Sequence, residues 1–131
     1  MGINKNNFEI IIDTSAPNSL IALLKDKRIL SKCEWASNNN ESKTLLPNIN
    51  YLIKKNNLNI QSCNKIFVVI GPGGFSSLRI GVSTAKGLSI ILGIPLIPIP
   101  TLLSSAMEFI TEKYKVMSIT ECSKGTFYSK V

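Results

Sequence analysis

The stretch Gly71-Pro72-Gly73-Gly74-Phe75-Ser76-Ser77-Leu78-Arg79-Ile80-Gly81 joins a short β-branched run to a segment with helical periodicity. Glycines at such a junction permit positive φ angles and let the backbone come close to a neighbouring segment. The free N–H groups and the positive dipole end of the following helix would suit an anion. The stretch lacks both the P-loop pattern G-x-x-x-x-G-K-[ST] and the pattern G-x-G-x-x-G. It therefore predicts either a tight strand-to-helix turn or a nucleotide-phosphate site. The candidate phosphate-binding residues are Gly71, Gly73 and Gly74.

The helix predicted over Phe75–Leu92 carries two apolar or small faces, whereas a simple surface helix carries one. The first face consists of Phe75, Leu78, Val82, Ala85 and Leu92, and the second consists of Ile80, Thr84, Gly87 and Ile91. A narrow polar stripe that includes Arg79 separates them. One face is expected to pack on a sheet. The other is expected to meet a further helix, either in this chain or in another.

Strands and helices alternate along the rest of the chain. Short apolar runs predict strands at residues 8–13, 20–24, 29–35, 66–70 and 95–99, with a possible final pair at 116–120 and 126–131. A further helix is predicted from Thr101 to about Thr111. The second and third strands are separated only by Lys25-Asp26-Lys27, so this pair should be antiparallel. The pattern predicts an α/β sheet with an antiparallel member.

A helix is also predicted before the glycine stretch. Leu45, Leu46, Ile49, Leu52 and Ile53 fall within an arc of about 120° on a helical wheel. Pro47 is best tolerated in the first turn of a helix, so the regular helix is expected to start near Leu46.

The composition indicates a globular protein. The 131 residues suit one domain, and the hydrophobic fraction is 44% with 18% charged residues. The formal net charge of +7 either favours an acidic surface or a nucleic acid, or reflects a Lys-, Asn- and Ile-rich codon bias. No signal peptide or membrane span is apparent, and a cytoplasmic protein is expected.

Few residues in the chain are suited to catalysis or to metal binding. The chain has no His, which excludes Ser-His-Asp and Cys-His arrangements, and no carboxylates are paired by their spacing. Cys33, Cys63 and Cys122 are few and far apart, so we interpret them as small core residues and expect neither zinc nor disulfides. Asp13, Thr14 and Ser15 close the first strand. They could hold a magnesium-bound phosphate or form a turn that satisfies its own backbone.

Several segments resemble motifs of the TsaB (YeaZ) family, in the family's order. Residues 11–15 resemble its opening I-D-T-S, and residues 41–47 resemble its helix start H-S-E-x-L-L-P. The stretch from Gly71 to Gly81 resembles G-P-G-S-F-T-G-L-R-I-G, and residues 85–88 resemble A-K-G-L. Residues 93–96, 101–102 and, loosely, 121–128 follow the family's later pattern.

This resemblance implies an α/β fold of the actin-like ATPase or ribonuclease H-like type, a mixed sheet with helices on both faces. It implies a non-catalytic partner of the TsaD transferase in threonylcarbamoylation of adenosine 37 of tRNA, with a TsaE-type ATPase joining the complex and tRNA reached indirectly. The family's contact with TsaD uses the first two helices. The interface residues expected here are Leu45, Ile49, Ile53, Ile80, Thr84, Gly87 and Ile91. Without a partner, we expect the same apolar face to form a homodimer.

No cofactor is expected for the chain alone, with ATP possible only within the complex. The alternatives are an ATP-binding actin-like enzyme that uses Asp13, Thr14, Ser15 and the glycines, a glycoprotease-like peptidase, or direct tRNA binding through the basic excess. The chain departs from the family pattern where Glu41 replaces a His. Family members are longer, so residues 1–113 are expected to form the actin-like N-terminal domain and residues 114–131 the start of a truncated second domain.

Overall fold

A computed structural model describes residues 6–107 and 115–130 of the chain. The strands are β1 (Phe8–Asp13), β2 (Asn18–Lys25), β3 (Arg28–Ala36), β4 (Cys63–Val69), β5 (Leu96–Ile99), β6 (Ser118–Ser123) and β7 (Thr126–Lys130). The helices are α1 (Glu41–Lys55), α2 (Phe75–Leu92) and α3 (Thr101–Ala106), with a 3₁₀ turn at Ile60–Ser62. Five strands form one sheet in the order β3-β2-β1-β4-β5, and β6 pairs with β7 in a second sheet.

The hairpin predicted from the short polar link is confirmed. β2 and β3 are antiparallel and are joined by Asp26 and Lys27, which both have positive φ angles of 52° and 62°. Two consecutive left-handed residues are typical of a type I′ turn, whose twist matches that of the flanking strands. β1 pairs antiparallel with β2 and parallel with β4, and β4 pairs parallel with β5. The sheet is therefore mixed, as predicted.

The core lies between one face of this sheet and the two long helices. Alternate residues of β1, namely Phe8, Ile10 and Ile12, are buried, because successive side chains of a strand point to opposite faces. They share a cluster with the buried faces of α1 and α2, including Leu45 and Ala85. In the described part of the chain, α1 and α2 thus share one face of the sheet, while α3 contacts β6.

Helix α1 begins earlier than the sequence predicted. It starts at Glu41 instead of near Leu46, and Pro47 lies inside it. The Asn40 carbonyl accepts hydrogen bonds from the backbone of Lys43 and Thr44 and from Thr44 Oγ1, at 2.9, 3.1 and 3.0 Å. These bonds form a complete first turn before the proline. Pro47 then lacks only the N–H that would bond the Lys43 carbonyl.

Helix α2 has the predicted bounds, Phe75–Leu92, and the predicted glycine after its end. Gly93 adopts φ 63°, its N–H donates to the Ile90 carbonyl at 3.4 Å, and the Ile94 N–H donates to the Ser89 carbonyl at 3.1 Å. This pair of bonds is the Schellman motif that ends many helices. Phe75, which the sequence grouped with a packed face, is instead exposed at the start of the helix.

The last described residues form the predicted strand pair, with β6 shifted by two or three residues from its expected limits and β7 starting at the expected residue, Thr126. The helix expected to reach Thr111 is described only as far as α3 and Met107, and the domain boundary expected at residue 113 lies outside the described residues. None of the helices in the described ranges is long and apolar enough to cross a membrane.

Candidate functional site

The turn after β1 satisfies its own backbone. Asp13 Oδ1 accepts hydrogen bonds from the Ser15 N–H at 2.9 Å and from Ser15 Oγ at 2.6 Å. This is the Asx-type turn that the sequence offered as one alternative. Asp13 Oδ1 and the Ser15 hydroxyl are therefore hydrogen-bonded to each other.

The glycine stretch packs directly on this turn. A Cβ atom on Gly73 would overlap the backbone of Ser15, and a Cβ atom on Gly81 would overlap the side chain of Thr14. Thr14 Oγ1 donates to the Ser77 carbonyl at 2.8 Å, inside α2. A side chain at Gly73 or Gly81 would therefore not fit against this turn, so glycine is required at these two positions.

The predicted nucleotide residues surround an open cleft of about 640 Å³. Thr14, Ser15, Gly73 and Gly74 line it, whereas Asp13 and Gly71 are not among its lining residues. Gly71 has φ 107° and its carbonyl accepts from the Thr101 N–H at 2.9 Å, which fixes α3 at the cleft. The other lining residues include Ser77, Thr101, Ser105 and Glu121.

Hydroxyl groups line the cleft, but most of them already donate a hydrogen bond within the chain, as Thr14 does to the Ser77 carbonyl and Ser105 to the Thr101 carbonyl. Thr101 Oγ1 is buried and has no hydrogen-bond partner within the described residues. Over the ranges 6–107 and 115–130, no cluster of three His, Cys, Asp or Glu side chains is placed to hold a metal ion. Among its described groups the cleft thus presents one buried hydroxyl without a partner, Thr101 Oγ1, and a single lining carboxylate, Glu121.

A buried carboxylate connects the cleft to the two helices. Glu41, the first residue of α1, is only 1% exposed. Its Oε1 accepts a hydrogen bond from Ser19 Oγ of β2 at 3.2 Å and a short one from Ser37 Oγ. Ser37 Oγ also lies 3.0 Å from Ser77 Oγ of α2. We call Ser19, Ser37, Glu41 and Ser77 the Glu41 network. Sequence reasoning had noted Glu41 only as a departure from a family pattern.

The protonation of Glu41 follows from these contacts. Burial of the carboxyl acts to raise its pKa, but the hydrogen bonds from Ser37 and Ser19 favour the charged form, and the pKa of Glu41 lies below its ordinary value of 4.5. A carboxylate at the first residue of a helix is also stabilised by the helix dipole. Glu41 is therefore charged at neutral pH. Its other oxygen, Oε2, has no partner among the residues that the structure describes.

The predicted interface residues divide into buried and accessible groups. Leu45, Ile49 and Ile53 are buried in the core of this chain, which corrects their assignment to a partner surface. Helical periodicity identified the apolar face of α1, but that face is used to cover the sheet.

The remaining predicted residues lie on α2. Ile80, Thr84 and Gly87 are partly exposed, and Ile91 is 80% exposed. Ile80 and Thr84 line a groove of about 460 Å³ between the helices, and Leu46 of α1 lines the same groove and a second of about 320 Å³. Leu46 is 53% exposed and was not among the predicted interface residues. We define the docking surface as Leu46, Ile80, Thr84, Gly87 and Ile91.

The cysteines with described side chains are core residues, as predicted. Cys63 is buried in the core cluster and Cys33 packs against it, and both are free thiols. Burial raises the pKa of the Cys63 thiol to about 11. The side chain of Cys122 lies outside the described residues.

Comparison with known proteins identifies the family. A family model described as TsaD, tRNA N6-adenosine threonylcarbamoyltransferase, matches residues 34–128. The tRNA threonylcarbamoyladenosine biosynthesis protein TsaB of Buchnera aphidicola subsp. Baizongia pistaciae is 33% identical over 125 residues, which cover 91% of this chain and 55% of that protein. The chain belongs to the TsaB/YeaZ family. It spans about half the length of the curated relatives that it matches.

Solved structures support the same fold. YeaZ from Pseudomonas aeruginosa superimposes with a TM-score of 0.68 at 23% identity, covering 79% of this chain and 49% of that one. A putative N-acetylmannosamine kinase from Listeria monocytogenes gives a TM-score of 0.51 at 12% identity, covering 79% of this chain and 39% of that one. The mixed sheet and these structural neighbours confirm the predicted fold class of this chain, an α/β fold of the actin-like type.

Proposed function

We propose that this TsaB/YeaZ-family chain acts in threonylcarbamoylation of tRNA as a non-catalytic subunit that binds a TsaD-type transferase. The family model and the curated relatives carry names from this pathway, which supports the setting. In this proposal the chain is cytoplasmic, and the transferase carries the chemistry.

The observation that carries the proposal is the accessible apolar docking surface. Ile91 and Leu46 are the most exposed of its members, at 80% and 53%. Leu46 lines two grooves between α1 and α2, and Ile80 and Thr84 line the first of them. A Cβ atom on Gly87 would meet nothing within 4 Å. Apolar grooves between helices are suited to an amphipathic helix of a partner.

The pairing is tested by co-purification with a TsaD-type transferase from the same source. Leu46→Glu places a charge on an exposed site, so the chain should stay folded while binding weakens by at least about 30-fold, as at an interface hot spot. Ile29→Glu is the matched control, because Ile29 is 64% exposed on β3 and lines neither groove of the docking surface. Equal binding by both variants would remove the docking surface from the proposal.

Two further associations belong to this proposal. In the absence of the transferase, the docking surface pairs with a second copy, because an apolar face that fits a related helix pair can also fit itself. Light scattering should then give a dimer mass that falls to the monomer mass in Leu46→Glu. A TsaE-type ATPase joins only the complex with the transferase.

A nucleotide is the second candidate ligand. The support is the buried Thr101 Oγ1 at the cleft, which has no hydrogen-bond partner within the described residues and could bond a phosphate or sugar oxygen. We propose that the cleft binds ATP only when a second domain or the transferase covers it. Calorimetry with Mg-ATP should therefore show no heat for the chain alone and measurable heat for the complex.

A further inference from the structure

The two ends of the five-stranded sheet differ in charge. One end carries six basic side chains, which we call the basic end: Lys25, Lys27, Arg28, Lys54, Lys55 and Lys65. The other end carries the cleft, with Asp13 at the end of β1 and Glu121 among the lining residues.

The topology brings the six residues together. β1 and β4 are parallel and start side by side, with Phe8 opposite Cys63. β2 ends beside the start of β1, since Leu24 is opposite Glu9, and its hairpin tip follows immediately. Helix α1 ends at Lys55 and leads through the 3₁₀ turn to Cys63, so its last turn lies at this end as well.

Few acidic groups balance these cations. Glu9 forms an ion pair with Lys65 at 3.4 Å, and Asp26 lies at the hairpin tip. Within residues 6–107 and 115–130, Lys27, Arg28, Lys54 and Lys55 have no carboxylate within 4.0 Å, and all four are exposed. The basic end is therefore a solvent-accessible cationic surface.

Other groups at this end fit a nucleic acid. Tyr51 is exposed one turn before Lys55, whose ammonium lies 5.8 Å from the ring centre. Asn57, Gln61 and Asn64 present exposed amides nearby in the chain. Ammonium and guanidinium groups bind phosphates, amides bind sugars and base edges, and an aromatic ring can stack on an unpaired base.

We propose that the basic end binds the phosphate backbone of RNA directly. The proposed function reaches RNA only through the transferase, and this proposal adds a direct RNA contact to it. The contact lies at the end of the sheet opposite the cleft, where Lys54 also borders the second groove of the docking surface. RNA is favoured over an anionic membrane because cations and amides dominate the surface. Ile29 and Leu30 on β3 are exposed apolar residues, so an anionic membrane is the alternative partner, and the experiment must distinguish it from RNA.

The test is a salt titration of binding to a labelled, unmodified tRNA transcript, followed by fluorescence anisotropy with the isolated chain. Six phosphate contacts give a slope of log affinity against log salt of about −4 to −5, a loss of roughly 300- to 2,000-fold between about 50 and about 200 mM salt. Two variants, Lys54→Gln/Lys55→Gln and Lys27→Gln/Arg28→Gln, should each reduce the slope by about 1 to 2. The hairpin variant keeps the proposal testable if the helix variant fails to fold.

The matched control is Lys43→Gln/Lys86→Gln, which removes the same charge from exposed sites on α1 and α2 outside the basic end. It should leave the slope unchanged. Equal weakening by the control would show diffuse attraction by the net charge and overturn the proposal. Binding to vesicles of phosphatidylserine and phosphatidylcholine without binding to tRNA would also overturn it. Neither result depends on the transferase, so the docking proposal stands or fails separately.

Discussion

Removal of the Glu41 side chain is expected to destabilise the fold far more than removal of a surface carboxylate. In Glu41→Ala, the hydroxyls of Ser19 and Ser37 lose their charged acceptor and a side chain that is 99% buried is deleted. A hydrogen bond to a charged group contributes about 1.5–3 kcal/mol, and a carboxylate at a helix N-terminus contributes about 0.3–1 kcal/mol. Two such bonds and the helix-end contribution together predict a loss of about 3–7 kcal/mol in the free energy of unfolding.

The assay is urea denaturation followed by tryptophan fluorescence. Trp35 is the only tryptophan and packs against the core from β3, so it reports unfolding of this region. Glu34→Ala is the matched control: Glu34 forms a 2.9 Å ion pair with Lys32, both side chains are about half exposed, and such pairs contribute about 0–1 kcal/mol. A similar small loss in both variants would refute the reasoning.

The pH dependence gives a second check on Glu41. Its pKa is lower in the folded chain than the ordinary value of 4.5, so its charge stabilises the fold above about pH 4.5. That contribution is lost as the pH falls through the lowered pKa. The stability difference between the natural chain and Glu41→Gln should therefore shrink below about pH 4.5. A difference that grows as the pH falls would contradict a lowered pKa.

Three further experiments test the packing of α2 and Cys63 and the conformation of the β2–β3 turn. Gly81→Ala should lower the free energy of unfolding by at least about 2 kcal/mol, because the added Cβ would overlap Thr14. Gly87→Ala should raise it by up to about 1 kcal/mol through higher helix propensity. Thermal unfolding of the two variants measures both changes. Cys63 should resist a thiol reagent in the folded protein at neutral pH and react only on unfolding. The reason is that its pKa is raised to about 11, so it stays a neutral thiol. Mass spectrometry of the peptide that contains Cys63 measures the extent of labelling. The double variant Asp26→Asn/Lys27→Gly should stabilise the fold by about 0.4–1 kcal/mol and so raise the melting temperature, because both positions have positive φ angles. A lower melting temperature would argue against the type I′ turn.

The parts of the fold that depend on local pattern could be predicted from the sequence. The bounds of α2, the glycine at its end and the β2–β3 hairpin each follow from neighbouring residues, namely periodicity, Gly93 and a two-residue link. The start of α1 could not be predicted in this way. It depends on Glu41, whose hydrogen-bond partner Ser19 lies 22 residues away.

The candidate sites show the same division. The sequence predicted that Leu45, Ile49 and Ile53 lie on one face of a helix, but periodicity alone does not tell whether the sheet or a partner covers that face. Ile91 is 80% exposed, whereas the pattern left open whether its face meets a helix of this chain or of another, and its place in a partner interface stays a prediction. Glu41 was missed because a buried carboxylate has no local signature, and its significance depends on three serines from other elements.

Titration of a TsaD-type transferase into the chain by calorimetry tests the docking proposal most directly. Ile91 is 80% exposed in the docking surface and Ile29 is 64% exposed outside it, so the two sites accept glutamate at similar cost to folding. Ile91→Glu should weaken binding by at least about 30-fold, while Ile29→Glu binds like the natural chain. Undiminished binding by Ile91→Glu, or equal loss in both variants, would contradict docking through this surface.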